Sequence, residues 1–335
     1  LNLRVLHVGL GPLGLRIQAD LLTRALGSTV AAVDPAPGIA GKLLSELVPG
    51  APPVRVLASL DELTPSTAID VALVTTSSDL RKCAPTFKAL LARGIPCVST
   101  CEELIYPWLR HRELSDELDR CAKEGRAQLL GTGVNPGFLM DALPVFATAV
   151  CNRVRSLSVF RVQDATPRRV PFQKKIGAGL DRAGFQKGIE EGWLRHVGLG
   201  ESLHFCAQYL GFEVQSWSET IEPVVATREL DCKLGKIAVG QCAGVRQVAV
   251  GIVDGKPLLR YEFQAAIGQS DPHDRVLLDS DPPLDLVVKG GVHGDVATSA
   301  IALNALRPIV SAAPGLHTMA TVPMLSCSDA GARRR

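Results

Sequence analysis

Near its start the chain carries Leu3-Arg-Val-Leu-His-Val8, a run rich in β-formers that stops at Gly9-Leu-Gly11-Pro-Leu-Gly14. An amphipathic stretch follows, with Leu13, Ile17, Leu21 and Ala25 at helical spacing and Gly27 at its close. Thr29-Val-Ala-Ala-Val33 then reads as a second buried strand, ending in Asp34. Strand, glycine turn, helix, strand and acid in that order leave little freedom of fold. Gly9 permits the tight turn, Gly11 lets the backbone approach a pyrophosphate, and Gly14 lets the helix pack on the strand. Pro12 and Leu13 complete the turn, and the anion would rest over the helix N-terminus, where free N–H groups and the dipole favour it. Asp34, about 20 residues past Gly14, can accept hydrogen bonds from ribose hydroxyls and repel a 2′-phosphate. The expectation is a Rossmann domain binding NAD or NADP, with NAD favoured because no arginine follows directly, only Pro35-Ala-Pro-Gly38. A turn-forming Asp before proline is the simpler alternative for Asp34.

The alternation continues. Val54–Ala58, Val71–Thr75, Pro96–Ser99 and Ala127–Leu130 read as strands, with a helix through Leu91 and another running past Pro107 to about Lys123. Repeated strand and helix with short turns imply a parallel sheet that takes ligands at the carboxyl ends of its strands. Those ends offer Thr75, Thr76 and Ser77, then Thr100, Glu102 and Glu103, then Asn135 and Phe138. After about residue 150 the texture changes. Val154–Val162 alternates like a strand, and Val245–Val253 with Leu258–Ile267 flank the hairpin signal Asp254-Gly255. Helical pieces are expected at Glu201–Leu210 and Val296–Leu306. The chain is therefore expected to be α/β: a Rossmann domain over 1–150 with a parallel sheet, and an α+β domain over 151–295 with a mostly antiparallel sheet. A last helix, about 296–325, would return to the first domain.

Composition narrows the function. The chain has 335 residues, of which 46% are hydrophobic and 21% charged, a globular balance. Its 36 basic and 34 acidic residues leave a formal net charge of +2, which argues against a nucleic-acid surface. Arg168-Arg169 with Lys174-Lys175 is too small a cluster to track a nucleic-acid backbone, but it can meet a phosphate or an anionic substrate. Arg333-Arg334-Arg335 reads as a solvated tail. Nine cysteines lie without framework or zinc spacing, so reduced thiols in a cytoplasmic setting are expected and no metal is called for. Neither a leader nor an apolar run of about 20 residues is visible, so no membrane is expected.

Several side chains bear chemistry. A carboxylate at Glu102 or Glu103 could hold a cationic amine and move its proton. Thr100-Cys-Glu-Glu103 also has the form of a helix capping box, which would fold Glu103 back and leave Glu102 for the site. Asn135-Pro136-Gly137 is a tight turn whose amide can reach a ligand, and equally a plain Asn-Pro turn. Phe138 is a pocket wall or core. Arg161, Arg168, Arg169, Gln173 and Lys175 form a dense polar stretch, and His196 and His293 lie in glycine-bearing segments, where a structural role is the ordinary one.

Together these stretches resemble one family. They are Val98-Ser-Thr-Cys-Glu-Glu-Leu104 with Tyr106-Pro-Trp108, Gly131-Thr-Gly-Val-Asn-Pro-Gly-Phe138, Arg169-Val-Pro-Phe-Gln-Lys-Lys-Ile-Gly-Ala-Gly179, His196-Val-Gly-Leu-Gly-Glu-Ser202 and Gly290-Gly-Val-His-Gly-Asp295. The chain is similar to the 2,4-diaminopentanoate dehydrogenases and native amine dehydrogenases, within the dihydrodipicolinate-reductase-like group, from the glycine turn to Pro314-Gly315. The resemblance implies NAD(P)-dependent oxidative deamination of an amine, or reductive amination of a ketone or aldehyde with ammonia, by a homodimer built through its second domain. It places the catalytic acid at Glu102 or Glu103 without choosing between them. The substrate side is assigned to Asn135, Phe138, Arg161, Gln173 and His196. Two alternatives remain: an NAD(P)H-dependent reductase of a cyclic imine, and a non-catalytic dinucleotide sensor.

Overall fold

A computed structural model describes residues 2–327; the terminal Arg333-Arg334-Arg335 lies outside the described residues. Two compact units emerge. One joins the N-terminal stretch through Phe138 to the C-terminal stretch from His293, and the other is Leu139–Val292.

The first unit follows the alternation read from the sequence: β1 (Leu3–Val8), α1 (Pro12–Arg24), β2 (Gly27–Val33), α2 (Leu44–Leu47), β3 (Val56–Leu57), β4 (Val71–Val74), α3 (Leu80–Leu91), β5 (Cys97–Ser99), α4 (Arg112–Glu124) and β6 (Gln128–Gly131). The six strands pair in parallel in the order β6-β5-β4-β1-β2-β3. Chain order reverses between β1 and β4, which puts the ligand crevice beyond their carboxyl ends. Every residue of β4 is buried, as a strand covered on both faces requires. One apolar core gathers Phe87, Leu90, Leu118 and Ala122, and a second gathers Leu10, Ala32, Leu44 and Val56. A fully buried Phe or Leu contributes roughly 1.5–3 kcal/mol relative to exposure.

One expected helix is corrected. Residues past Pro107 do not run continuously to Lys123: Glu102–Leu104 and Pro107–Leu109 are separate 3₁₀ turns, and α4 begins only at Arg112. Proline at the first position starts the second turn, as its missing N–H and fixed φ favour.

The second unit contains α5 (Ala142–Ala147), β7 (Arg153–Asp164), α6 (Val170–Lys175), α7 (Arg182–Glu190), α8 (Leu199–Leu210), β8 (Ser216–Val225), β9 (Leu230–Cys232), β10 (Gly235–Ile237), β11 (Cys242–Val253), β12 (Lys256–Ala266), β13 (His273–Asp281) and β14 (Leu284–Lys289). Its six-stranded sheet has the order β14-β13-β7-β12-β11-β8. All pairings are antiparallel except β12 with β7. Asp254 and Gly255, with φ of 51° and 70°, turn β11 into β12. The first break falls at Phe138 rather than at residue 150, because α5 packs on α8 within this unit.

The chain then returns to the first unit as α9 (Gly294–Asn304), α10 (Leu306–Ser311) and β15 (Gly315–His317). The single helix expected over 296–325 is thus two helices and a strand. Pro314-Gly315 ends helical continuation, and β15 pairs in parallel with β6 as a seventh strand. Among the described residues no helix is long and apolar enough to cross a membrane.

Candidate active site

The glycine turn shows why three glycines are needed. Gly9 adopts φ of 93°, and an added Cβ would lie 2.8 Å from the Thr75 carbonyl oxygen. A Cβ on Gly14 would stand 2.1 Å from the Gly9 oxygen, so the helix could not approach the strand. Around Gly11 nothing lies within 4 Å of the added atom, which is the open space a ligand backbone contact requires. Pro12 occupies the first position of α1, and its first turn carries no acidic residue. The N–H groups of Leu13 and Gly14 thus open an uncontested anion cradle.

Asp34 continues β2 and is 7% exposed. Its Oδ2 accepts the Leu10 N–H at 2.6 Å and its Oδ1 accepts the Ala36 N–H at 2.8 Å. The carboxylate therefore ties the glycine turn to the second strand, and each oxygen retains a lone pair for a ribose hydroxyl. These features fit the adenosine and pyrophosphate of a nicotinamide dinucleotide.

Beneath the turn lies a polar network absent from the sequence reading. Thr75 Oγ1 donates to the Gly9 carbonyl at 2.6 Å and lies 3.1 Å from His7 Nε2. His7 Nδ1 lies 3.0 Å from Gln18 Oε1, and Gln18 Nε2 donates to Thr29 Oγ1 at 2.6 Å. Burial pushes the His7 pKa down to about 4, so the ring is neutral at ordinary pH. Thr76 Oγ1 sits 3.4 Å from Cys83 Sγ, and Ser77 Oγ accepts the Asp79 N–H at 3.2 Å. Thr100 donates its N–H to the Val74 carbonyl at 3.2 Å. Asp79 caps α3 by accepting the Arg81 and Lys82 N–H groups.

The two glutamates part company. Glu103 Oε2 accepts the Leu80 N–H at 2.9 Å and lies 3.0 Å from His111 Nε2. Its own N–H donates to the Ser78 carbonyl at 3.2 Å. Glu103 thus holds the first turn of α3, where the dipole favours an anion. The expected capping box does not form: the 3₁₀ turn at Glu102 has Cys101 at its cap with no side-chain cap bond, and Glu103 serves a neighbouring helix. Glu102 is half-buried, with Oε2 shielded from solvent. Asn135 and Phe138 are also half-buried, after Val134, whose N–H donates to Thr298 Oγ1 at 3.2 Å. Close packing builds this edge, since a Cβ on Gly131 would lie 2.7 Å from the Leu104 carbonyl carbon.

In the second unit the inner face of β7 carries Arg161, 2% exposed. Its Nη1 donates to Asp274 Oδ1 at 2.7 Å and its Nη2 to the Val292 carbonyl at 3.0 Å. Asp274 Oδ2 accepts the Val292 N–H at 2.8 Å. Gln173 is fully buried; its Nε2 donates to the Ala165 and Thr166 carbonyls at 3.0 and 3.1 Å. Its Oε1 is enclosed with no hydrogen-bond partner among the described residues. The His196 ring stacks on Phe263 at 4.3 Å. Burial lowers its pKa, and the charges of Lys175, Arg161 and Arg195 lower it further. Lys175, Arg161 and Arg195 thus all act on His196, with the Arg161 charge balanced by Asp274. Arg168 lies over the Phe172 ring at 4.1 Å. His293 instead caps α9, its Nδ1 3.5 Å from the Val296 nitrogen.

Asp274 and Gln247 went unread in the sequence because their partners are remote in the chain. Only the Arg195-His196 adjacency gave a local signal.

A reversing parallel sheet, a glycine turn with an open Gly11 and an acid after β2 define a nicotinamide-dinucleotide-dependent dehydrogenase. Comparison with known proteins agrees. The profile of the 2,4-diaminopentanoate dehydrogenase C-terminal domain matches residues 138–335. The 2,4-diaminopentanoate dehydrogenase of Acetoanaerobium sticklandii is 29% identical over 332 residues, spanning 96% of this chain and 94% of its own. The amine dehydrogenase structure from Mycobacterium smegmatis superposes with a TM-score of 0.84 at 21% identity, covering 98% of both chains. The WlbA dehydrogenase of Bordetella pertussis, in complex with NADH and UDP-GlcNAcA, shares the fold at a TM-score of 0.55 and 13% identity, over 92% of this chain and 89% of its own. The chain belongs to the 2,4-diaminopentanoate dehydrogenase family.

Proposed function

We propose that the protein is an amine dehydrogenase that interconverts a small primary amine and its ketone or aldehyde, with ammonia as the nitrogen source in the reductive direction. The observation that carries the assignment is the division of labour between the two glutamates at the carboxyl edge of the parallel sheet. Glu103 holds Leu80 and His111, and Glu102, half-buried beside it at the strand's carboxyl end with a shielded Oε2, takes the acid–base role. The bound dinucleotide would supply or accept the hydride. Glu102 holds the cationic nitrogen and passes a proton as water or ammonia adds and leaves. Asp34 at the end of β2, its oxygens accepting the Leu10 and Ala36 N–H groups, favours NAD over NADP.

Within the second unit, Arg161, Gln173 and His196 are the candidates for meeting substrate. Gln173 brings a buried acceptor that a substrate N–H or O–H would satisfy. The cations around His196 suit a substrate bearing an acidic or strongly polar end. The protein works as a homodimer in the cytoplasm. Exposed Leu277, Leu286, Val287 and Val288 on β13 and β14 supply apolar surface for that association.

The test is oxidation of NADH and NADPH, followed at 340 nm, with ammonia and a panel of ketones, aldehydes and keto acids. Ammonia-dependent oxidation is the expected result. Oxidation of cyclic imines without ammonia would reassign the protein as an imine reductase. Tight dinucleotide binding with no turnover of any substrate would make it a sensor.

A further inference from the structure

His196 lies outside every strand and helix, yet neither of its backbone polar groups relies on solvent. Its N–H donates to Gln247 Oε1 at 2.8 Å, and its carbonyl accepts from Gln247 Nε2 at 2.9 Å. The amide of one side chain thus pairs with a distant residue as a strand neighbour would, fixing its own orientation in doing so. The same Nε2 donates to Glu219 Oε1 at 2.5 Å, so both N–H groups of the amide are used. Gln247 is fully buried at the centre of β11, directly opposite Phe263 on β12. Phe263 is the ring on which the His196 imidazole stacks, at 4.3 Å and an interplanar angle of 19°. Two cross-strand neighbours therefore hold one residue, Gln247 by its backbone and Phe263 by its ring. A histidine wanted only as core filling needs no such clamp, and a buried polar side chain at mid-strand is costly unless fully paired.

We infer that Gln247 is a positioning residue for the substrate site, setting His196 through its backbone, with Glu219 completing the bonding of the amide. This rests on the reading that His196 meets the substrate. In Q247L the two backbone groups of His196 lose their partners and the ring leaves its place. KM for the carbonyl substrate is expected to rise about tenfold, the scale of a lost buried hydrogen bond, while kcat and dinucleotide affinity stay within about threefold. E219A, at a half-buried position, should move KM the same way by less, and E219Q should restore it because its amide oxygen still accepts. In an H196A background Q247L should add nothing; an undiminished effect there would show that Gln247 acts as general scaffold and overturn the inference. A separate readout is the His196 imidazole resonance in nitrogen-edited NMR. A displaced resonance in Q247L supports positioning, and an unmoved one refutes it whether or not any substrate is turned over. KM unchanged in H196A would remove His196 from the substrate site and overturn the inferred role of Gln247 with it, whatever the resonance shows.

Discussion

At the glycine turn the decisive contacts involve the main chain: the Leu10 N–H on Asp34, the Gly9 oxygen on Thr75, the Leu80 N–H on Glu103. Around His196 and Val292 they start from side chains on different strands, from Arg161 on β7 to Asp274 on β13 and from Gln247 on β11 to the His196 backbone. The first region needs a backbone shape, which glycine spacing and strand ends specify locally. The second needs charges and amides delivered from several strands, so it exists only once the sheet has formed. The first kind of construction is general to a fold, whereas the second can be altered by changing side chains over an unchanged sheet.

The largest effect should come from the glutamate pair at the carboxyl edge of the parallel sheet. Glu102→Gln is expected to lower kcat roughly 10³-fold with NADH affinity intact, the scale of a lost general acid–base. Glu103→Gln should retain at least about a tenth of the activity and lose thermal stability instead. The opposite ranking, read by steady-state kinetics and calorimetry, would exchange their roles.

In the second unit, Asp274→Ala strands the Arg161 guanidinium, and the loss of its partner should cost about 3–5 kcal/mol in urea unfolding. The double variant Arg161→Leu with Asp274→Leu should regain most of that loss. If the single variant is as stable as the parent, the ion pair does not organise this region and the contrast between the two halves weakens.

His7 tests the first unit. Its folded pKa of about 4 lies below the usual 6.5, so the unfolded chain takes up the proton first as pH falls. Stability is full above about 6.5 and declines towards pH 4, by about 3 kcal/mol in total. Urea midpoints measured across that window should flatten in His7→Gln. An equal slope in parent and variant would mean that the imidazole is already solvated.

Much of the first unit was legible because local rules suffice: residues Val71–Val74 are all apolar, Gly9 and Gly14 punctuate the turn, and Asp34 ends the next strand. The hairpin at Asp254-Gly255 and the strand at Val154–Val162 were legible for the same reason. The segments from Ser216 to Val225 and from His273 to Asp281 were not, since polar residues interrupt the apolar face in each: Glu219 between Trp217 and Ile221, and Asp274 and Ser280 beside Val276 and Leu278. The choice between Glu102 and Glu103 lay beyond a one-dimensional reading. What engages Glu103 is the amide of Leu80, a residue on the preceding helix.

Placing β15 beside β6 also has a consequence for biosynthesis. The parallel sheet lacks its seventh strand until the whole second unit has been made, because Gly315 follows Val292 in the chain. At cellular rates of translation, the stretch from Gly131 to Gly315 takes on the order of 10–40 seconds to emerge. Throughout that interval β6 offers an unpaired parallel edge, the kind of surface that holding chaperones shield and that strays into wrong pairings. Completion of the parallel sheet therefore waits on a strand that follows the whole second unit in the chain, although β1 precedes that unit.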